Sequence, residues 1–386
     1  MEMEFTVETD CDDGRAEKFE ASSSSAPGLS PFSFLYSAMT TLITGATGFV
    51  GSHLTRLLVA RGERVRVLTR DSSAKPNSYD ALAGISVERA HGDLRDAASL
   101  RAAVQGAEVV FHVAADYRLW ASDSAEIYSS NVEGTRNLLE AARQAGVRRF
   151  VYTSTVATMA VPRSGGALPD ETTHASLSEM IGHYKRSKFL AEEEALRAAA
   201  EGFPVVIVNP TAPVGPADWK PTPTGKIILD FLNGKMPAYV DTGLNVVPVE
   251  DVAQGHLDAA ERGKPGERYI LGGRNMTLKE ILDVLAKITG RRAPRVRLPH
   301  AVALAAACAD HVMSRMLRRE PQIPLDGVRM ARHRMFVDSS KAGRELGFTP
   351  GAVEAALERA VRWYEENGYV SRRSGVARAA HSQEAA

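Results

Sequence analysis

Residues 40–51 read Thr40-Thr41-Leu42-Ile43-Thr44-Gly45-Ala46-Thr47-Gly48-Phe49-Val50-Gly51, a strand-length apolar segment running into three evenly spaced glycines. Leu54, Leu57 and Leu58 follow at helical spacing, and a second apolar segment begins near Val65. Strand, glycine turn and helix in this order form the pattern of a dinucleotide-binding turn. Gly45 permits the tight exit from the strand, Gly48 lets a pyrophosphate approach the backbone, and Gly51 lets the helix lie close to the sheet. The phosphates would meet free N–H groups around Thr47, Phe49 and Val50, where the helix dipole favours negative charge.

The totals agree with an enzyme-sized globular chain. At 386 residues it is long enough for one large core or two smaller ones. Lysine plus arginine equals aspartate plus glutamate at 47 each, so no overall field points to nucleic acid. Cys11 and Cys308 are far apart in sequence, so neither a disulfide framework nor a metal site is expected, and a reducing, cytoplasmic setting is. The most apolar late stretch, residues 301–309, stops at Asp310 and is too short to span a bilayer.

Residues 1–38 carry eight acidic residues against Arg15 and Lys18, then a serine run and scattered prolines. They read as a disordered extension with Met39 as the functional start, and residues 370–386 read as a disordered polar tail. Between them, strands are expected at Arg64–Thr69, 85–90, 108–115, Arg149–Thr153 and 204–208, and helices at Ala97–Val104, 131–145 and 184–200. Strands that are apolar nearly throughout, alternating with amphipathic helices, indicate a parallel sheet covered on both faces. The expected fold is α/β: a Rossmann-type doubly wound parallel sheet in residues 39–210. Pro210, Pro213, Pro216, Pro221 and Pro223 then mark a change of texture. Residues 211–369 read as a smaller substrate-binding domain, interleaved with the first through returns around 244–262.

Tyr184 and Lys188 stand at i and i+4 on one face of the helix expected at 184–200. A phenol with an ordinary pKa of about 10 is a poor proton carrier at neutral pH. A neighbouring cation favours the phenolate and lowers that value. Thr153, Ser154 and Thr155 end a strand, the place where ligands bind in such sheets, and a hydroxyl there would polarise a substrate oxygen. Helical geometry turns His183 off this face. Tyr117, Trp120 and Trp219 read equally as pocket lining or as packing. Residues 291–334 hold ten arginines against Asp310, Glu320 and Asp326, which reads first as a solvated helix face and second as a lipid- or phosphate-facing rim.

From residue 39 to about residue 369 the chain resembles the extended short-chain dehydrogenase/reductases of the NAD-dependent epimerase/dehydratase superfamily. Residues 44–51 resemble the family's nucleotide turn, Gly92-Asp93-Leu94 its adenine-contacting strand end, and Phe111-His112-Val113-Ala114-Ala115 its fourth-strand motif. Asn131, Gly134 and Thr135 match the helix that follows. Tyr184 and Lys188 match the catalytic pair, Thr155 the catalytic hydroxyl with Ser154 second, and Pro210 the proline beside the nicotinamide. Asp338-Ser339-Ser340-Lys341 and Glu345-Leu346-Gly347-Phe348-Thr349-Pro350 match the closing signature. The resemblance implies that Tyr184 exchanges a proton while hydride moves between substrate carbon and nicotinamide. It further implies that Thr155 holds the substrate oxygen, that Lys188 orients the ribose and that the chain forms a homodimer.

Arg70 falls where dihydroflavonol-reductase-like members carry an arginine for the ribose 2′-phosphate, which favours NADP(H); Asp71 would serve NAD(H). Residues 115–120 and 209–216 are similar to bacterial hopanoid-associated sugar epimerases, which implies a small-molecule or lipid-linked carbonyl or sugar substrate. Sugar-nucleotide epimerases usually carry an arginine where Asn209 stands, and that departure leans toward carbonyl reduction or the reverse alcohol oxidation. Two alternatives stay open: a redox-neutral nucleotide-sugar epimerase or dehydratase, and a non-catalytic NAD(P)H-binding sensor.

Overall fold

The structure, a computed structural model, describes residues 40–70, 81–118, 123–159, 167–173, 175–317 and 319–371. The expected extension at 1–38, Met39, Asp71, Trp120 and residues 372–386 lie outside the described residues.

Seven parallel strands form the main sheet: β1 (Thr40–Thr44), β2 (Arg64–Thr69), β3 (Glu88–His91), β4 (Ala107–His112), β5 (Arg149–Thr153), β6 (Val205–Pro210) and β10 (Arg268–Leu271). Their order is β10-β6-β5-β4-β1-β2-β3. The strand order reverses between β1 and β4, and the crevice outside the strand ends at such a switch point is where ligands bind.

Helices α1 (Phe49–Ala60), α2 (Ala97–Val104), α3 (Gly134–Gln144) and α4 (Gly182–Ala200) cover this sheet. Successive strand residues point to opposite faces. Leu42 accordingly joins a core with Leu100 of α2, Leu138 of α3 and Ala191 of α4, while Ile43 packs on Leu54 and Leu58 of α1. Both are fully buried, and burial of one such side chain stabilises by roughly 1.5–3 kcal/mol. That two-sided burial explains why Leu42 and Ile43 stand side by side in the strand instead of alternating with polar residues.

Three boundaries depart from expectation for local reasons. β4 ends at His112 instead of running to Ala115, because Val113 N donates to the Thr44 carbonyl at 3.2 Å and Ala114 N to Thr44 Oγ1 at 3.3 Å. Those bonds bend the chain under the glycine turn. The helix expected at 131–145 is preceded by a short helical turn at Ala125–Tyr128 and a π-helical turn at Ser129–Glu133. The third strand starts three residues later than expected and ends at His91.

After β6 the chain builds a second core while repeatedly returning to the first. β7 (Ala212–Val214) and β11 (Arg274–Thr277) pair with β9 (Gly243–Pro248), over α5 (Pro223–Leu232), α7 (Leu278–Thr289) and α11 (Val353–Glu366). Thr277 and Glu280 form a capping box that starts α7, and Gly290, at φ 70°, ends it. α6 (Val249–Arg262) and α10 (Ser340–Leu346) lie in the core with α1, through Val252, Leu257 and Leu346. β8 (Ala238–Val240) pairs with β12 (Val296–Leu298), and β13 (Arg334–Met335) lies alongside β9. α8 (His300–Met316) and α9 (Leu325–Met330) contribute no residue to these cores.

Candidate active site

The glycine turn is shaped by what its glycines leave out. Gly45 has φ 73°, and a Cβ on it would lie 2.5 Å from Ala114 N. A Cβ on Gly51 would lie 2.1 Å from the Gly45 carbonyl oxygen. Helix α1 can therefore start directly over the turn only with glycine at both positions. Gly48 is its N-cap and makes no side-chain cap bond, so the first N–H groups of the helix are offered at the turn. At the neighbouring strand ends, Arg70 is exposed after β2, and Asp93 pairs with Arg95 Nη2 at 2.8 Å. The Arg95 hydrogen bonds, with help from the charges of Arg95 and Arg70, bring the Asp93 carboxyl down to about 2.

The end of β5 sends four adjacent hydroxyls to four destinations. Tyr152 Oη accepts from Lys188 Nζ at 2.8 Å, and its ring lies under that nitrogen at 4.5 Å. Thr153 Oγ1 meets His256 Nε2 on α6 at 2.8 Å. Ser154 Oγ donates to the buried Glu192 of α4. Thr155 Oγ1 accepts from Ala157 N at 3.2 Å and stands close enough to the Tyr184 hydroxyl to pull its pKa down. Thr155 and Tyr184 are thus brought together, whereas Ser154 faces away from Tyr184 and belongs to a polar cluster beneath it. In that cluster Glu192 Oε2 also accepts from Asn209 Nδ2 at 2.9 Å, and Glu192 Oε1 lies 3.3 Å from Arg268 Nη1.

One expectation about charge is reversed. Lys188 Nζ is spent on Tyr152 and on the Thr153 carbonyl at 2.7 Å, and burial brings its pKa down to about 7 against the pull of Glu192. The Tyr184 phenol is raised by burial, which outweighs the opposing pull of the nearby Thr155 hydroxyl. In the protein as it stands, Tyr184 is a firmly protonated phenol and Lys188 the group poised near neutrality.

A buried polar chain runs from Lys188 back to the glycine turn. Tyr152 stands beside Thr135, and Thr135 Oγ1 donates its one hydrogen to the Asn131 carbonyl at 2.6 Å. His112 Nε2, 3.0 Å from Thr135 Oγ1, must therefore carry the ring proton, and Nδ1 accepts from Thr44 Oγ1 at 2.7 Å. Burial first, then the nearby charge of Lys188, holds this imidazole down to about 3, so it stays neutral. The Asn131 side chain, placed by the π-helical turn, bonds Asp116 N at 2.7 Å and Ser187 Oγ at 2.9 Å, tying the loop after β4 to α4.

Glu192, Tyr152 and the inward roles of His112 and Asn131 escaped sequence reasoning. A signal for Glu192 was present, since it follows Lys188 at the same i+4 step by which Lys188 follows Tyr184. His183 is exposed and bonds Tyr128 through Nδ1 at 3.2 Å, off the Tyr184 face as expected. Trp219 packs edge-on against Trp363 with ring centres 4.6 Å apart, which favours its packing reading. Tyr117 is 41% exposed.

Comparison with known proteins identifies the family and agrees with the fold. Residues 41–272 match the model of the NAD dependent epimerase/dehydratase family. The chain is 47% identical over 332 residues to a provisionally named dihydroflavonol 4-reductase of Synechocystis sp., covering 85% of this chain and 95% of that protein. It is 39% identical over 334 residues to sterol demethylase protein B of Methylococcus capsulatus, covering 86% of this chain and 100% of that protein. The crystal structure of DesIV, a dTDP-glucose 4,6-dehydratase from Streptomyces venezuelae with NAD and TYD bound, matches with TM-score 0.68 at 25% identity, covering 86% of this chain and 99% of that one. A family match over more than half of the sequence, on a parallel sheet opened by a glycine turn, leaves one conclusion: the chain belongs to the NAD-dependent epimerase/dehydratase family and is an NAD(P)-dependent oxidoreductase of the short-chain dehydrogenase/reductase type.

Proposed function

We propose that this enzyme reduces a ketone or aldehyde, or oxidises the corresponding alcohol, with NADP(H) as its preferred nucleotide. The observation that carries this reading is the approach of Thr155 to the Tyr184 hydroxyl at the end of β5, with Lys188 one helical turn along α4 from Tyr184. Thr155 would hold the substrate oxygen, Tyr184 would pass it a proton, and Lys188 would turn from Tyr152 and the Thr153 carbonyl toward the ribose hydroxyls. When bound, the nicotinamide supplies or accepts the hydride. The backbone of Gly45, Thr47, Gly48, Phe49, Val50 and Gly51 would hold the pyrophosphate. Asp93 and Leu94 would border the adenine, and Val113, Ala114, Ala115 and Pro210 would line the path to the nicotinamide. Arg70 supports the NADP(H) preference, since a guanidinium suits a 2′-phosphate and this one is exposed at the strand end.

Asn209 supports reduction over nucleotide-sugar epimerisation. It is fully buried, and its amide is committed to Glu192 and, at 3.2 Å, to the Thr155 carbonyl, so it replaces a substrate-facing arginine with an internal brace. The second reading, a redox-neutral epimerase or dehydratase, draws on the family match and on the dehydratase-like fold. An apolar or lipid-linked carbonyl compound, as in hopanoid assembly, is the substrate class we favour. The protonated Tyr184 and intact Lys188 weigh against a non-catalytic sensor.

Nucleotide content and nucleotide preference test this together. We expect the purified protein to be free of nucleotide, to bind NADPH more tightly than NADH, and to lose that preference in Arg70→Ala. Stoichiometric tightly held NAD⁺ would instead establish the redox-neutral reading, because an enzyme that returns its hydride to the same substrate has no need to release the nucleotide.

A further inference from the structure

Helix α8 has its polarity reversed relative to an ordinary surface helix. Its inward side carries Ala307, Asp310 and Ser314, with Ala307 and Ser314 buried. Asp310 accepts from Arg319 Nη2 at 2.7 Å and from Ile323 N at 2.9 Å, so the returning chain satisfies this polar side. Val302, Ala305, Ala309, Val312, Met313 and Met316 share the opposite face at helical spacing. All six are exposed, with Val312 at 57% and Met316 at 77%, and no charged residue interrupts them. One exposed valine needs no explanation, but a contiguous exposed apolar face marks a docking surface.

The charges on α8 and in the segments that flank it favour one occupant. Arg315 stands at its edge, and Arg292, Arg295 and Arg332 are exposed in the segments leading into α8 and out of α9. None of these four side chains makes an ion pair with a described residue. A second copy docking through the same face would bring a second set of these arginines to an interface whose α8 face carries no acidic residue to meet them. An anionic lipid surface would meet the apolar face with acyl chains and the arginines with headgroups. No helix among the described residues is long and apolar enough to cross a membrane, so the helix would lie in the interface plane.

We propose that the outward face of α8 docks this protein on the surface of bilayers that contain anionic phospholipid. α9 connects that surface to the active site. His300 Nε2 at the start of α8 donates to the Val328 carbonyl of α9 at 2.8 Å. Asp326 Oδ2 of α9 lies within 2.5 Å of where a Cβ on Gly182 would sit, two residues before Tyr184. These contacts link the docked helix through α9 to the N-terminal end of α4, which suits an apolar substrate drawn from the bilayer. Only that last step rests on the assignment of Tyr184; the docking itself does not.

The test uses the full chain with vesicles of phosphatidylcholine and phosphatidylglycerol in equal parts, with phosphatidylcholine vesicles as the contrast, and light scattering for mass in solution. The protein should sediment with the anionic vesicles, less so as salt is raised, and Val312→Asp/Met316→Asp should bind at least roughly tenfold more weakly. Both positions are exposed, so the variant should keep the wild-type melting temperature and its NADPH turnover on a small aldehyde. Absence of anionic-vesicle binding, or equal binding by the variant, would overturn the proposal. A dimer that the variant dissociates would overturn it too, by showing that a second copy covers the face. Absence of turnover in both proteins would count against the reductase reading alone.

Discussion

The glycine turn at residues 45–51 and the hydroxyl run at residues 152–155 are both short, and both sit at the C-terminal ends of central strands, yet they are made by different means. The turn is backbone against backbone: Gly51 lies on the Gly45 carbonyl, and Gly45 lies on Ala114 N. The hydroxyl run is side chain against side chain, with partners drawn from α4 and α6. A site built from backbone states its demands in the spacing of a few residues. A site built from side chains depends on which distant elements arrive beside it.

The largest expected effect would sharpen the second half of this comparison. If Thr155 alone of the four hydroxyls faces the reacting oxygen, Thr155→Ala should lower kcat by roughly 10²–10³. Ser154→Ala should leave kcat nearly unchanged and lower the melting temperature slightly, because it removes one of the three donors to the buried Glu192 Oε2. Equal losses of kcat in steady-state assays would show that the run acts as one unit.

Gly51→Ala probes the first half. Its Cβ would lie 2.1 Å from the Gly45 carbonyl oxygen, so the start of α1 must shift. Nucleotide affinity, read by fluorescence titration, should fall roughly 100-fold, the scale of cost for misplacing a site by about 1 Å. Wild-type affinity would break the claim that the turn is set by backbone contact.

The smallest effect is the pH dependence. Burial holds Lys188 down to about 7, so its ammonium is present below that pH and lost above it, while the raised Tyr184 phenol keeps its proton. For carbonyl reduction, kcat/KM should fall roughly tenfold per pH unit above about pH 7. His112 and His256, held down to about 3 and about 4, should add no limb near neutrality. A profile flat to pH 10 would mean that the charge on Lys188 is not required.

Legibility follows the same division. The glycine turn, the alternation of strands and helices, and the Tyr184–Lys188 step were readable because each depends on periods and steric limits within a short stretch. Glu192 was not, although its spacing invited the question. A glutamate in mid-helix is buried only because Ser154, Asn209 and Arg268 arrive from β5, β6 and β10 to meet it. The shift of Tyr184 runs against expectation for a related reason: proximity to Lys188 along the helix suggests a lowered phenol, but burial raises Tyr184 and lowers Lys188, whose ammonium is turned to Tyr152.

By itself the sequence determined the nucleotide turn, the parallel α/β sheet and the residue types at the strand ends, because hydrophobic periodicity and glycine sterics act locally. Only the tertiary structure decided which of two adjacent hydroxyls reaches Tyr184. It also decided that Lys188 sits deep enough to titrate near neutrality and that the apolar face of α8 points outward. Each of these depends on what packs against a side chain, and a helical or strand period shows that a face exists without saying what it meets.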